Sequence, residues 1–222
     1  MPPRGPLILG FDTAGPWCCA ALVAGGRVLA EAQEEIATGQ AERLMPMLGA
    51  VLAAGGAGWR DLAAVGVGTG PGNFTGVRIA VAAARGIATG LGVPAIGVGL
   101  LEARAEGLAR PLAVVEDARR GEIYLQTFGL GVDEGPLLLD PSDMAPALGD
   151  LPLAGGAAAA VAALTGAALT GAALTGAAVL APALPLAVAI ARIAAQRLGG
   201  PQPRPAPLYL RAPDAQPRAS GP

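Results

Sequence analysis

Histidine and lysine are both missing from this 222-residue sequence, whose 15 basic residues are all arginines. The lack of histidine excludes His-containing zinc sites, Ser-His-Asp and Cys-His catalysis, and imidazole acid–base chemistry. The formal net charge is −2. No basic face is therefore expected that could hold a nucleic-acid backbone unaided.

Cysteine is also scarce, and the two that occur, Cys18 and Cys19, are adjacent. Neighbours on a strand point to opposite faces, so we expect one small apolar side chain on each face of a buried strand, in a reducing compartment. The N-terminus does not resemble a signal peptide. Residues 151–191 carry no charge, but Ala and Gly partition weakly into hydrocarbon, so we expect a cytoplasmic protein without a membrane span.

The main motif of the sequence is a glycine-rich stretch. An apolar run over residues 62–67 meets a turn rich in Gly and Pro, and an Ala-rich segment follows to about residue 91. The pattern predicts a strand, a tight loop and a helix that Asn73 or Thr75 caps. The loop lacks the Gly-Lys-Ser/Thr ending of a phosphate loop, so anion binding and simple packing both remain open.

The strand pattern at the start of the chain occurs a second time later in the sequence. Residues 7–11 form an apolar strand that ends at Asp12, and two further strands follow in hairpin order. Residues 111–128 repeat this design, with Asp117 in the place of Asp12. Two such halves are the layout of the α/β actin-like ATPase (ASKHA, RNase H-like) fold with two related subdomains. Asp12 would either face a metal and phosphates or cap its turn, and Arg119 and Arg120 form a solvated hairpin tip.

We divide the chain into an N-terminal subdomain (1–106), a C-terminal subdomain (107–200) and a Pro-rich tail (201–222), in which disorder is expected past Arg211. Helical spacing predicts helices over residues 38–54, either bent at Pro46 or starting late, and over residues 184–198. A short helix is expected over residues 141–148. Three Ala-Ala-Leu-Thr-Gly copies between residues 162 and 176 fit neither helix nor strand periodicity and are interpreted as a loop or loose segment.

Three literal strings carry a family resemblance. Gly-Pro-Gly-Asn-Phe-Thr-Gly-Val-Arg at 70–78, Asp-Ala-Arg-Arg-Gly-Glu-Ile-Tyr at 117–124 and Pro-Leu-Tyr-Leu-Arg at 207–211 closely resemble signatures of the TsaB (YeaZ) family. Asn73 stands where that family usually has Ser. Gln40 stands where it commonly has His, so any role that needs imidazole is lost here.

The resemblance implies a non-catalytic dimerisation subunit with no cofactor, metal or catalytic residue of its own. It would support a TsaD-like threonylcarbamoyltransferase in tRNA threonylcarbamoyladenosine modification, together with a TsaE-like ATPase, and would meet tRNA only through that complex. Two N-terminal helices would bind the partner through Arg43, Leu44, Met47, Leu48, Val51, Val77, Arg78, Val81, Ala84 and Arg85. The motif loop would be Gly70, Pro71, Gly72, Asn73, Phe74, Thr75 and Gly76, and a vestigial nucleotide site would comprise Asp12, Thr13 and Asp117.

Other functions remain open. An actin-like ATPase or phosphotransferase could use Asp12 and Asp117 around a magnesium-bound nucleotide, although the chain has no lysine and its second half no convincing adenosine loop. A peptidase function has even less support, because the chain has no His and no sequence motif marks a serine or cysteine nucleophile. A helix face that accepts a homologous partner could also accept its own copy and give a homodimer.

Overall fold

The computed structural model describes residues 5–131, 135–140, 143–144, 148, 150–168 and 178–211. Most of the predicted helix at 141–148, the later Ala-Ala-Leu-Thr-Gly copies and the tail past Arg211 lie outside the described residues. The first copy, at residues 162–166, lies within a helix, Ala158–Ala168, so the prediction that its period does not fit a helix is wrong for this copy. The statements below concern the described residues.

A five-stranded sheet forms the first half, in the order β3-β2-β1-β4-β5. Strands β1, β2 and β3 are antiparallel neighbours, whereas β4 and β5 run parallel to β1. The five strands are β1 Leu7–Asp12, β2 Trp17–Ala24, β3 Arg27–Glu35, β4 Ala64–Gly68 and β5 Ala95–Val98.

A second five-stranded sheet repeats this pattern in the order β8-β7-β6-β9-β10. Strand β6 pairs antiparallel with β7 and parallel with β9, as β1 does with β2 and β4. The strands are β6 Leu112–Asp117, β7 Ile123–Phe128, β8 Leu137–Leu139, β9 Leu153–Ala154 and β10 Val179–Leu180. The duplicated topology confirms the predicted actin-like fold with two related halves.

Helices connect and cover the sheets. They are α1 Gln40–Ala54, a 3-10 turn Trp59–Asp61, α2 Phe74–Leu91, α3 Leu100–Ala105, α4 Ala158–Ala168 and α5 Leu186–Arg197. Helix α1 begins two residues after the predicted start, and it runs through Pro46 without ending there. Pro46 is exposed, so its ring does not disturb the core side of the helix.

Strands β1, β2 and β4 of the first sheet are buried on both faces. Cys18 belongs to the apolar cluster beneath α1 and α2, and Cys19 belongs to the cluster on the other face. The adjacent cysteines thus occupy opposite faces, as a strand requires.

Helix α5 packs on that second face although it lies almost at the end of the chain. Ile190 and Ala194 contact Gly66 of β4 so closely that a Cβ there would lie 2.9 Å from Ala194 Cβ. Gly10 of β1 is in a similar position, because an added Cβ would lie 2.5 Å from the Ala187 carbonyl oxygen. The sequence pattern predicts the helix but not the sheet that it covers.

Candidate functional site

The glycine loop joins β4 to α2 and is fixed at several points. Gly70 has a φ of 88°, a left-handed conformation that glycine adopts without strain. The Leu100 N–H donates to the Gly70 carbonyl at 2.7 Å, and the Thr69 N–H donates to Val98 at 2.9 Å. Asn73 caps α2, because its Oδ1 accepts from the N–H groups of Thr75 at 3.0 Å and Gly76 at 3.1 Å.

The loop rests directly on the turn between β1 and β2. A Cβ on Gly76 would lie 1.9 Å from the Thr13 carbonyl oxygen, and one on Gly72 would lie 2.5 Å from that of Ala14. The Thr13 hydroxyl donates to the Gly76 carbonyl at 2.7 Å, and the Asn73 N–H donates to Ala14 at 2.6 Å. These glycines are therefore required for close backbone packing between the loop and the turn.

Asp12 lies under this contact and is completely buried. Its Oδ1 accepts from the Ala14 N–H at 2.8 Å and from the Trp17 indole at 2.7 Å, whereas Oδ2 is buried without a hydrogen-bond partner. Burial raises the pKa of the Asp12 carboxyl, and the two hydrogen bonds lower it only in part. Asp12 thus caps its turn from inside the protein.

Asp117, the counterpart of Asp12 in the second half, has different surroundings. Asp117 is exposed, and its Oδ1 accepts from the Arg119 N–H at 2.7 Å. The preceding Glu116 is buried and pairs with Arg104 at 3.0 Å. The Arg104 guanidinium lies 5.6 Å from the ring centroid of Trp17. Trp17, Arg104 and Glu116 therefore link the two halves near Asp12.

Sequence reasoning missed this link. Glu116 precedes Asp117 on a strand, so the two must face opposite sides, and this alternation was the available signal. Nothing in the sequence pairs Glu116 with Arg104, which lies in a different element.

Gln40 is buried at the start of α1. Its Nε2 donates to the Ile36 carbonyl at 3.1 Å and so holds the connection between β3 and the helix.

The two cysteines offer no nucleophile. Burial raises the pKa of Cys18 to about 11 and that of Cys19 well above its usual value, so both thiols stay protonated at neutral pH.

Most of the side chains predicted to bind a partner face inward. Seven of the ten belong to the core beneath α1 and α2 and are 0–3% exposed: Leu44, Met47, Leu48, Val51, Val77, Val81 and Ala84. These side chains therefore fill this chain's own core.

The three predicted arginines have other contacts. Arg43 pairs with Glu34 of β3. Arg78 Nε donates to the Tyr209 hydroxyl at 2.6 Å, and Arg85 Nε donates to the Pro205 carbonyl at 2.7 Å. Two of them thus bind the segment 201–211 along α2.

The outer face of the helix pair carries small residues with free space around them. A Cβ added to Gly49 of α1, or to Gly86 or Gly90 of α2, would meet nothing within 4 Å. Met45 on α1 is 46% exposed. Small residues of this kind allow another backbone to approach closely.

Neither a membrane span nor a metal cluster occurs in the part of the chain that the structure describes. Its helices include none with the length and apolar composition to cross a membrane. Nor do three or more His, Cys, Asp or Glu side chains gather there in a way that could hold a metal ion.

A duplicated actin-like fold with a glycine loop packed on the first β-hairpin defines the class of this protein. The family model described as TsaD, tRNA N6-adenosine threonylcarbamoyltransferase, matches residues 32–135. The Escherichia coli protein named tRNA threonylcarbamoyladenosine biosynthesis protein TsaB is 40% identical over 123 residues, which cover 53% of this chain. That alignment spans only 52% of the E. coli protein, about half its length.

Two further proteins match over nearly the whole chain. An uncharacterized Mycobacterium tuberculosis protein is 37% identical over 215 residues, 96% of this chain and 95% of that protein. A Pseudomonas aeruginosa crystal structure, described as similar to peptidase YEAZ, has a TM-score of 0.74 at 28% identity and covers 93% of this chain and 100% of its own. The chain belongs to the TsaB (YeaZ) family.

Proposed function

We propose that this chain is a non-catalytic subunit that pairs with a TsaD-like threonylcarbamoyltransferase in threonylcarbamoyladenosine modification of tRNA. The names of its relatives support the process, since the E. coli relative is a tRNA threonylcarbamoyladenosine biosynthesis protein. A TsaE-like ATPase would join the same assembly.

The open outer face of α1 and α2 carries the pairing proposal. Both helices pack on the first sheet with their apolar sides, which leaves a two-helix layer at the surface. Gly49, Gly86 and Gly90 remove the side chains that would hold a second helical layer at a distance. A homologous subunit with the same fold would present a similar helix pair, and the two layers could then pack against one another.

The environment of Asp12 supports a non-catalytic role. A carboxylate that serves a metal-bound phosphate needs an open side. Asp12 is completely buried, and Gly68 lies so close that an added Cβ would be 1.8 Å from Oδ2. The Gly68 backbone therefore covers this side of the carboxylate, which supports a non-catalytic role.

The test is size-exclusion chromatography with light scattering on this protein, alone and mixed with the TsaD-like subunit of the same organism. We expect a species of heterodimer mass. Gly86→Glu should abolish it, because a carboxylate would be buried without a partner. Gln33→Glu adds the same charge at an exposed position of β3 and should leave pairing unchanged.

Three outcomes would contradict the proposal. Pairing that survives Gly86→Glu would place the interface elsewhere. A monomer or self-dimer under all conditions would remove the partner. If the isolated protein hydrolyses ATP and Asp12→Asn abolishes this activity, the ATPase alternative would be favoured instead.

A further inference from the structure

The tip of the β6–β7 hairpin is strained. Arg119 and Arg120 have φ values of 63° and 58°, and Gly121 follows at 80°. The left-handed conformation costs a non-glycine residue roughly 1–2 kcal/mol. Two arginines in succession are therefore held where glycine would fit without cost.

Three side chains around the tip hold this conformation. Asp117 Oδ1 accepts from the Arg119 N–H at 2.7 Å, and Arg211 Nη2 donates to the Arg119 carbonyl at 3.3 Å. Arg211 also pairs with Glu122, which begins the return of the chain. Strain that neighbouring groups maintain in this way is typical of residues that a function requires in one orientation.

An aromatic cluster lies on the same stretch of the tail. Phe74 and Tyr209 are each 45% exposed, and their ring centroids are 5.1 Å apart. The Arg78 guanidinium lies 3.6 Å from the Phe74 ring centroid and bonds the Tyr209 hydroxyl. Two large rings are thus held in fixed positions while nearly half of each remains exposed.

The tail joins the tip to the aromatic cluster. Leu208 N–H donates to the Thr69 carbonyl at 2.8 Å, and Leu210 packs inward on the core of the second half. Side chains alternate in an extended segment, so Tyr209 and Arg211 share the outward side. We call Phe74, Arg78, Tyr209, Arg211, Arg119 and Arg120 the arginine-aromatic patch.

We propose that the arginine-aromatic patch binds unpaired nucleotides of an RNA. Arg119 and Arg120 bind phosphates, and Phe74 and Tyr209 provide faces on which a base stacks. This inference rests on the proposed function, which brings an RNA to the complex.

Local charge favours RNA over a neutral protein surface. The patch carries four arginines, and the carboxylates of Asp117, Glu122 and Asp140 adjoin it, in a chain whose net charge is −2. Guanidinium forks match phosphate oxygens, and exposed rings beside them match the bases of a single strand. The surface is small, so it supplements a larger RNA-binding partner.

The test is fluorescence anisotropy with a labelled RNA stem-loop of about 17 nucleotides and a blunt duplex of the same stem, at about 50 mM NaCl, where phosphate contacts are strong. We expect the stem-loop to bind more tightly than the duplex. Arg119→Gly/Arg120→Gly suits the left-handed tip, so the fold is retained while both charges are removed.

This double variant should weaken stem-loop binding about tenfold or more. The slope of log K against log salt concentration should become shallower by about 0.7 for each phosphate that is no longer neutralised. Tyr209→Ala should weaken binding about 5- to 150-fold, because the base no longer has a ring on which to stack. Arg27→Ala/Arg60→Ala removes two exposed arginines at the opposite end of the first sheet and is the matched control.

Equal weakening in the control and patch variants, or no stem-loop preference, would overturn the inference. Pairing with the TsaD-like subunit is measured separately on the same variants. If pairing persists while RNA binding is unchanged, only this inference fails. If the patch variants no longer pair but still bind RNA, the patch is a protein contact.

Discussion

Asp12 Oδ2 faces the α-carbon of Gly68, at a distance that leaves no room for any side chain there. A Cβ added to Gly68 would lie 1.8 Å from Oδ2, and Asp12 cannot move aside because Ala14 and Trp17 hold its other oxygen.

Gly68→Ala should therefore destabilise the protein by more than about 1–3 kcal/mol, the usual cost of overpacking a core. Urea unfolding measures this effect. Gly86→Ala, in open space on α2, should instead stabilise by about 0.5–1 kcal/mol. Asp12→Ala should partly rescue Gly68→Ala in a double-mutant cycle, and strict additivity would show that the two groups do not interact.

The buried carboxyl predicts a pH dependence of stability. Because the folded-state pKa of Asp12 is raised above the unfolded value, the unfolded chain binds fewer protons between these two values. The Asp12 contribution to stability is complete below the unfolded pKa and falls as pH rises through the folded one. The expected slope for one group is about 1.4 kcal/mol per pH unit within that interval.

Asp12→Asn should remove this slope while keeping an oxygen for the Ala14 and Trp17 bonds. Above about pH 4, the ordinary range of an aspartate, the free energy of unfolding of the wild type should fall relative to that of the variant. The variant's advantage should therefore increase as the pH rises. Parallel curves across that range would show that Asp12 does not titrate as its burial predicts.

Asn73 gives a prediction about the helix cap. Asn73→Ala removes the acceptor for two N–H groups of the first turn of α2 and should cost about 1 kcal/mol. Asn73→Ser should stay within a few tenths of wild type, since serine caps comparably. The measurement is the midpoint of urea unfolding, compared at an unchanged m-value. An Asn73→Ala variant with an unchanged midpoint would mean that the loop contacts alone hold the turn.

Arg104 and Glu116 should act as a coupled pair across the two halves. The side chains are 20% and 11% exposed, so removing one leaves the other partly buried without its counter-charge. Arg104→Met and Glu116→Gln should each cost about 1–3 kcal/mol. The double variant should cost less than the sum, and thermal unfolding of all four proteins in the cycle measures the coupling.

Local patterns predicted most of the architecture. Apolar runs located β1, β4 and β6, helical spacing located α1 and α5, and the repeated Asp ending revealed the duplication. Asn73 was correctly included among the cap candidates because capping depends on neighbouring residues alone.

Contacts between distant segments could not be predicted in this way. Helical periodicity shows that one face of α1 is apolar, but it does not show whether this chain or another protein covers it. Leu44 and Val51 fill this chain's core, and the open Gly49 lies on the other side. The Arg85 contact with Pro205 spans 120 positions, and no local pattern encodes it.

The placement of α5 has a consequence for synthesis of the protein. The sheet face that it covers includes Ile8, Cys19 and Ile96, all translated long before the helix begins at Leu186. While the chain grows on the ribosome, that apolar face has no cover from its own sequence. The first half therefore completes its core only after α5 has been translated, and until then its exposed sheet face is prone to aggregation.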